Sequence, residues 1–252
     1  MNYLANMPIK DRKTKILLML FLNSDVRFDY CAITVEMQSI FDISLNQKTK
    51  GTLSALIRDG YVEKNAEGNY RLLPQGFSRL CLEFPFFRFL WEEWDGLWRV
   101  ISYEIPESKR EIRDSLRREM KGWGLGPWHR SFWLTPHPVL SALRDLVYGK
   151  EEEVYIQAFE ATHVFGDKEV LVEKVWGKSN LDNSYRELFK KWHQILSTEK
   201  NNEEKLREIV VEYVLVLRND PGLPESLFGK KWIGFEAFDI FKEVREILMK
   251  RS

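Results

Sequence analysis

The run Leu97-Trp98-Arg99-Val100-Ile101-Ser102-Tyr103-Glu104-Ile105-Pro106 decides how the middle of this chain folds. Trp98, Val100, Ser102 and Glu104 alternate with Arg99, Ile101, Tyr103 and Ile105 in a stretch rich in β-branched and aromatic residues, the period of a strand, and Pro106 stops it. Residues 107–121 change period. Ile112, Leu116, Met120 and Trp123 fall on one helical stripe while Arg110, Arg113, Arg117 and Lys121 sit on the other side, so one face packs and the other is basic. The glycine-broken run 122–130 and the apolar run 131–135 read as two short strands, 138–147 as a helix and 154–164 as a last strand. Strand, helix, strand, strand, helix, strand over residues 97–166 is the βαββαβ order of a ferredoxin-like unit.

Upstream, residues 1–75 read as three helices and a hairpin. Ile16, Leu17, Leu20 and Phe21 share one helical face, and the cluster Ile33, Met37, Ile40 and Phe41 marks a second short helix. A third starts at Ser44, which with Gln47 forms a capping-box pattern, and runs through Leu45, Thr49, Leu53, Leu56 and Ile57 until Gly60 ends it. Two strand-like runs, 61–64 and 70–73, are joined by the turn chemistry of Glu67-Gly68-Asn69. This is the order of a winged helix-turn-helix. Residues 76–96 carry Phe77, Phe84, Phe86, Phe87, Phe89, Trp91 and Trp94 and read as a packed helical linker, and residues 167–252 show only helical periods, interrupted by a Pro/Gly-rich crossing at 219–224. The expected architecture is an α+β multidomain protein: a winged helix (1–75), an aromatic helical linker (76–96), a ferredoxin-like unit (97–166) and an all-α C-terminal domain (167–252).

Composition narrows the function classes. With 44% hydrophobic residues in 252, the chain has the apolar surface that disordered sequences lack. Its 38 basic residues equal its 38 acidic ones, so polyanion binding has to come from local asymmetry, and residues 1–80 hold 11 Lys or Arg against 8 Asp or Glu. Cys31 and Cys81 are too few for a disulfide framework or a four-thiolate zinc site and suit a reducing, cytoplasmic compartment. The charged start through Arg12 and the short apolar run Ile16 to Leu22 give no expectation of export or membrane insertion.

The placement of donors points to DNA. Asn46, Gln47, Lys48 and Lys50 crowd the first turns of the third helix, the part that enters a major groove in this architecture; Asn and Gln pair bidentately with adenine, and Lys reaches guanine or phosphate. Lys64 and Arg71 flank the hairpin as expected phosphate contacts. A solvated, amide-rich helix start is the plainer reading of the same residues. Catalytic chemistry has no comparable constellation. His129, His137, His163 and His193 lack the i, i+4 spacing of a helical zinc site, no serine lies in a Gly-x-Ser-x-Gly elbow, and Gly122-Trp123-Gly124-Leu125-Gly126 follows a helix instead of opening one, so it is no dinucleotide fingerprint. No catalytic residue, metal or cofactor is expected.

Five segments, Trp94-Asp95-Gly96-Leu97-Trp98-Arg99, Ile105-Pro106-Glu107, Arg113-Asp114-Ser115-Leu116-Arg117-Arg118, Gly124-Leu125-Gly126-Pro127 and Trp133-Leu134-Thr135-Pro136, together resemble the PaaX family of bacterial transcriptional repressors of phenylacetic acid catabolism. Asp220-Pro221-Gly222-Leu223-Pro224 with Trp232 resembles the family's tail, and Leu53-Ser54-Ala55-Leu56 with Arg58-Asp59-Gly60-Tyr61 its N-terminal part, with Ala55 where an Arg is common, so the operator is expected to differ. The resemblance implies a homodimeric repressor on a double-stranded DNA operator, released by a small effector such as the aryl-CoA thioester phenylacetyl-CoA. The aromatic linker and the basic face bearing Arg113 and Arg117 are where an acyl-CoA would find an apolar cleft and cations for its phosphates. The middle unit is also similar, in Val100 to Ile105 and Lys109-Arg110, to the small CRISPR-associated endoribonuclease, which implies an alternative: a metal-dependent nuclease with an Asp ending the first strand at a dimer seam. Glu104 stands at that position without a companion carboxylate or His on the strand, so the unit is expected to be structural and dimerising.

Overall fold

A computed structural model describes residues 7–24 and 26–249; the first six residues of the charged start lie outside the described residues. The elements run α1 (Arg12–Leu22), α2 (Val35–Ile40), α3 (Gln47–Arg58), β1 (Val62–Lys64), β2 (Tyr70–Leu72), α4 (Pro74–Glu83), α5 (Arg88–Trp91), β3 (Trp98–Tyr103) and α6 (Arg110–Gly122). They continue with β4 (Gly126–His129), β5 (Phe132–Thr135), α7 (Leu140–Val147), β6 (Ile156–Ala161), α8 (Lys168–Trp176), α9 (Lys178–Leu196), α10 (Asn202–Leu217), α11 (Glu225–Phe228) and α12 (Ile233–Met249). Among the described residues no helix is long and apolar enough to cross a membrane. The chain packs as two discontinuous units, one built from residues up to Leu80 with Asn183–Arg218 and the stretch from Ile233, the other from Cys81–Asp182 and Asn219–Trp232.

In the first unit each N-terminal helix begins at a residue whose side chain accepts from the first turn. Asp11 accepts from the Thr14 N–H at 2.7 Å and Thr34 from that of Met37 at 3.2 Å. For α3 the cap is Asn46, accepting from the Thr49 N–H at 3.0 Å, and not the expected Ser44, whose hydroxyl receives the Asn46 amide instead. Asn is among the strongest N-cap residues, which is why the helix starts two residues later than the capping-box pattern places it. Gly60, at φ +72°, ends it as the sequence indicates. The hairpin pairs Val62 with Leu72 and Lys64 with Tyr70. Helix α1 is buried along nearly its whole length because tail helices cover the side that its own neighbours leave open: Phe21 stacks on Phe77 at 5.8 Å and on Phe238 of α12 at 6.1 Å. Arg245 of α12 donates to the Leu22 carbonyl at 2.6 Å, and Trp192, Tyr213 and Phe241 join α9, α10 and α12 in one ring cluster.

The second unit holds a four-stranded, wholly antiparallel sheet in the order β4-β5-β3-β6, the ferredoxin-like arrangement its element order calls for. Ile101, Tyr103 and Trp133 pack against Leu116 and Met120 of α6 and Leu143 and Val147 of α7. The strand expected over 154–164 is shorter, because residues 151–155 wind into a 3-10 turn before β6. Ahead of β3, Gly96 turns the chain at φ +80°, and Asp95 returns both carboxylate oxygens to the buried Arg99, at 2.9 and 2.6 Å. Burial opposes the charge on Arg99, and hydrogen bonds from it to Asp95 and Glu160 outweigh that cost and keep its pKa above the ordinary value.

The crossing at 219–224, loop-like by composition, is interior: Asp220 to Pro224 are all buried. At Gly222, φ +63°, an added Cβ would lie 2.2 Å from the Pro85 carbonyl carbon, so only glycine lets the two backbones meet. His137 fixes the neighbouring residue. Its Nε2 lies 2.7 Å from the Pro221 carbonyl, which can only accept, so Nε2 carries the proton, while Nδ1 finds no partner among the described residues. Burial, reinforced by the positive charge of Arg88, pushes the His137 pKa down to about 3. An unfolded histidine takes its proton near pH 6.5, so between about 6.5 and about 3 the unfolded chain binds a proton that the folded chain refuses. The stability contributed by this group is whole above that window and falls as pH drops through it. Urea unfolding at pH 7.5 and pH 5 is expected to show this loss in the wild type and a clearly flatter pH dependence in His137→Gln.

Candidate nucleic-acid interface

Helix α3 turns Thr49, Leu53 and Leu56 inward. The helical period then sends Gln47, Lys50, Gly51, Ser54 and Arg58 outward as one stripe, with Lys48 beside it, all exposed. The first turn carries no acidic residue, so the positive end of the helix dipole and two ammonium groups add. Among the described residues neither Lys48 nor Lys50 meets a carboxylate. Asn46 is different: as the cap it accepts from both the backbone N–H and the hydroxyl of Thr49, and it gives its amide to Ser44. Of the four residues read from sequence at this helix start, three present open side chains and the fourth holds the helix end.

Gly51 is a residue the sequence reading passed over. It stands mid-helix on the exposed stripe, where an added Cβ would meet nothing within 4 Å. Glycine inside a helix costs roughly 1 kcal/mol against alanine, and among the described residues no packing requires it. The signal was present in the sequence as a glycine inside an otherwise helical run flanked by Lys50 and Thr52.

On the hairpin, Lys64 is exposed with its ammonium 5.4 Å from the Tyr70 ring centre. Arg71 is engaged: the register sets it opposite Glu63, its Nε donates to that carboxylate at 2.7 Å, and its guanidinium lies 4.7 Å from the Tyr30 ring centre. Its charge is balanced in place, which spacing alone could not reveal.

In the second unit Arg113 is half-buried and paired with Glu107 and Asp114, and the Arg117 guanidinium lies 5.9 Å from the Trp133 ring centre. Of the linker rings, Phe84, Phe86 and Phe87 are fully buried, and Phe89, Trp91 and Trp94 half-buried. A sizeable apolar cavity of about 530 Å³ lies elsewhere in this unit, lined among others by Trp98, Val100, Trp128, Leu134 and Leu171. Glu104 is exposed at the end of β3, and among the described residues no group of three His, Cys, Asp or Glu side chains gathers to hold a metal ion.

Comparison with known proteins gives two matches to family models. The PaaX protein central Cas2-like domain matches residues 91–172, and the PaaX-like protein C-terminal domain matches residues 176–252. Among solved structures, the uncharacterized protein Rv0674 from Mycobacterium tuberculosis is 18% identical, with 92% of this chain and 97% of that one covered and a TM-score of 0.49. No curated protein matches the chain. The first family match spans the Asp95–Arg99 pairing and all four strands of the sheet, and the second spans the buried Asp220–Pro224 segment and helices α9 to α12. On these matches the chain belongs to the PaaX family.

Proposed function

We propose that this protein is a DNA-binding transcriptional regulator, a dimeric repressor that occupies an operator through a winged helix-turn-helix formed by α1 to α3 and the β1–β2 hairpin. The observation that carries this reading is the exposed stripe of α3, with Gln47, Lys48 and Lys50 unneutralised at the positive end of the helix and Gly51 leaving the backbone bare beside them. A recognition helix needs donors for base edges at its N-terminal turns and a close approach to the groove. Lys64 on the hairpin supplies a phosphate contact, and Arg71 serves mainly to brace the hairpin through Glu63. Membership of the PaaX family supports the regulatory role.

The reading predicts two kinds of loss. Against a duplex selected by the protein from a random pool, Lys50→Ala weakens binding by about 1 to 3 kcal/mol and relaxes preference at one position, if it reads a base edge. Lys64→Ala weakens binding to all duplexes and reduces the slope of log affinity against log salt by about one unit. Titrations by fluorescence anisotropy at several salt concentrations check both, and wild-type affinity in both variants would sink the assignment.

Gly51→Ala separates a structural from a functional glycine. The variant is expected to be more stable by about 0.5 to 1 kcal/mol, since alanine favours the helix and the space is open. The same methyl group stands between the helix and a groove, so operator affinity falls. A stabilised protein with undiminished affinity removes Gly51 from the interface.

The proposed effector rests on the resemblance to the family's repressors: a repressor is released only by a ligand that binds its free form better than its operator-bound form. An aryl-CoA thioester such as phenylacetyl-CoA is expected to raise the melting temperature and release the operator at micromolar concentration, where free CoA and free phenylacetate do neither. Arg117→Ala, which removes one exposed cation of the α6 face while leaving the paired Arg113, is expected to blunt that release.

A further inference from the structure

The turn that leads from α2 into α3 holds a residue its backbone does not favour. After α2 the N–H of Ile43 returns to the Gln38 carbonyl at 2.8 Å and that of Asp42 to the Ser39 carbonyl at 3.2 Å, the paired bonds of a Schellman ending. Glycine usually fills the left-handed position of that motif, and here Asp42 fills it at φ +51°. Aspartate enters this region less readily than glycine, so a contact of its side chain has to offset the difference. That contact comes from α1. The Lys15 ammonium donates to the Asp42 carboxylate at 3.0 Å and to the Asp42 backbone carbonyl at 3.1 Å.

Two features separate this pair from exposed pairs such as Lys190–Glu187, whose net contribution is small. The Lys15 side chain is only 11% exposed, so its charge has given up most of its water and depends on these acceptors. Both acceptors also belong to one residue, so the contact fixes a point of the backbone as well as a side chain. Helix α1 is a firm support, buried along nearly its whole length and held at the Leu22 carbonyl by Arg245. A second tie lies further along the turn, where the Gln38 side-chain carbonyl accepts from the Leu45 N–H at 2.9 Å, one residue before the Asn46 cap. Residues 41–46 are therefore held from α1 and from α2, and the helix start bearing Gln47, Lys48 and Lys50 follows directly.

We propose that Lys15 is a positioning residue for DNA reading: from α1 it clamps Asp42 and so sets the direction in which α3 presents its exposed stripe. The inference rests on the DNA-binding reading above and adds to it a residue that touches no base. Base readout needs donors within hydrogen-bond range of particular base edges, whereas a flexible lysine follows a phosphate through a small tilt of its helix. Releasing Asp42 therefore removes discrimination between sequences before it removes affinity for DNA in general.

The test uses the full chain in fluorescence anisotropy titrations at several salt concentrations, against the duplex selected from a random pool and a scrambled duplex of the same length and composition. Lys15→Met keeps an apolar stem and removes the ammonium. Asp42→Gly removes the carboxylate and supplies the residue that the left-handed position favours. Each is expected to weaken binding to the selected duplex about ten-fold, the scale of one misread base pair, with affinity for the scrambled duplex and the salt slope unchanged. Lys15→Arg, which can still pair with Asp42, is expected to retain most of the preference, and Lys15→Met with Asp42→Gly to lose no more than either change alone. Variants that melt at a lower temperature but keep the wild-type ratio of selected to scrambled affinity leave a purely structural ion pair and overturn the proposal. A salt slope reduced by about one unit in Lys15→Met makes Lys15 a phosphate contact and likewise overturns it. A wild type that selects no duplex overturns the DNA-binding reading and this inference together.

Discussion

Arg99 is a full charge taken out of water at the centre of a sheet, and the second unit is arranged around satisfying it. Its guanidinium donates to both oxygens of Asp95, to Glu160 on β6, and to the carbonyls of Leu97 and Pro136. An unpaired buried guanidinium costs several kcal/mol, so these acceptors have to be in place for β3 to be central. Meeting that need fixes the turn at Gly96, ties β6 to β3, and sets where β5 ends. The segment Trp94 to Arg99 is thus a structural device of the second unit.

The same accounting explains two further buried polar side chains, His137 and Arg245. His137 is kept neutral by burial and spends its one proton on the Pro221 carbonyl, closing a segment that its own proline and glycine content would assign to solvent. Gly222 permits that closure by leaving room for the Pro85–Phe86 backbone. In the first unit Arg245 plays the corresponding part, satisfying the Leu22 carbonyl where α1 ends. Each contact joins residues more than eighty positions apart, which is how a discontinuous unit is held.

Function sits on what this packing leaves open. Helix α3 gives one face to the core and keeps an uncompensated, donor-rich stripe outside; the sheet gives one face to α6 and α7 and leaves an apolar one. The first is polar and cationic, and the second is apolar.

Period and cap chemistry determined much of this from sequence. The alternation of Trp98 to Ile105, the stripe of Leu116, Met120 and Trp123, and Gly60 after α3 are local signals, set by neighbours within a few residues, and each element lies where they place it to within three residues. The outward Lys48 and Lys50 were legible for the same reason. Tertiary structure decided whatever depends on a distant partner. It neutralised Arg71 with a cross-strand Glu63, sealed Phe84, Phe86 and Phe87 in the core, and buried the Asp220–Pro224 segment. A side chain's availability is a property of what faces it, and register and long-range packing, which carry no local period, choose that neighbour.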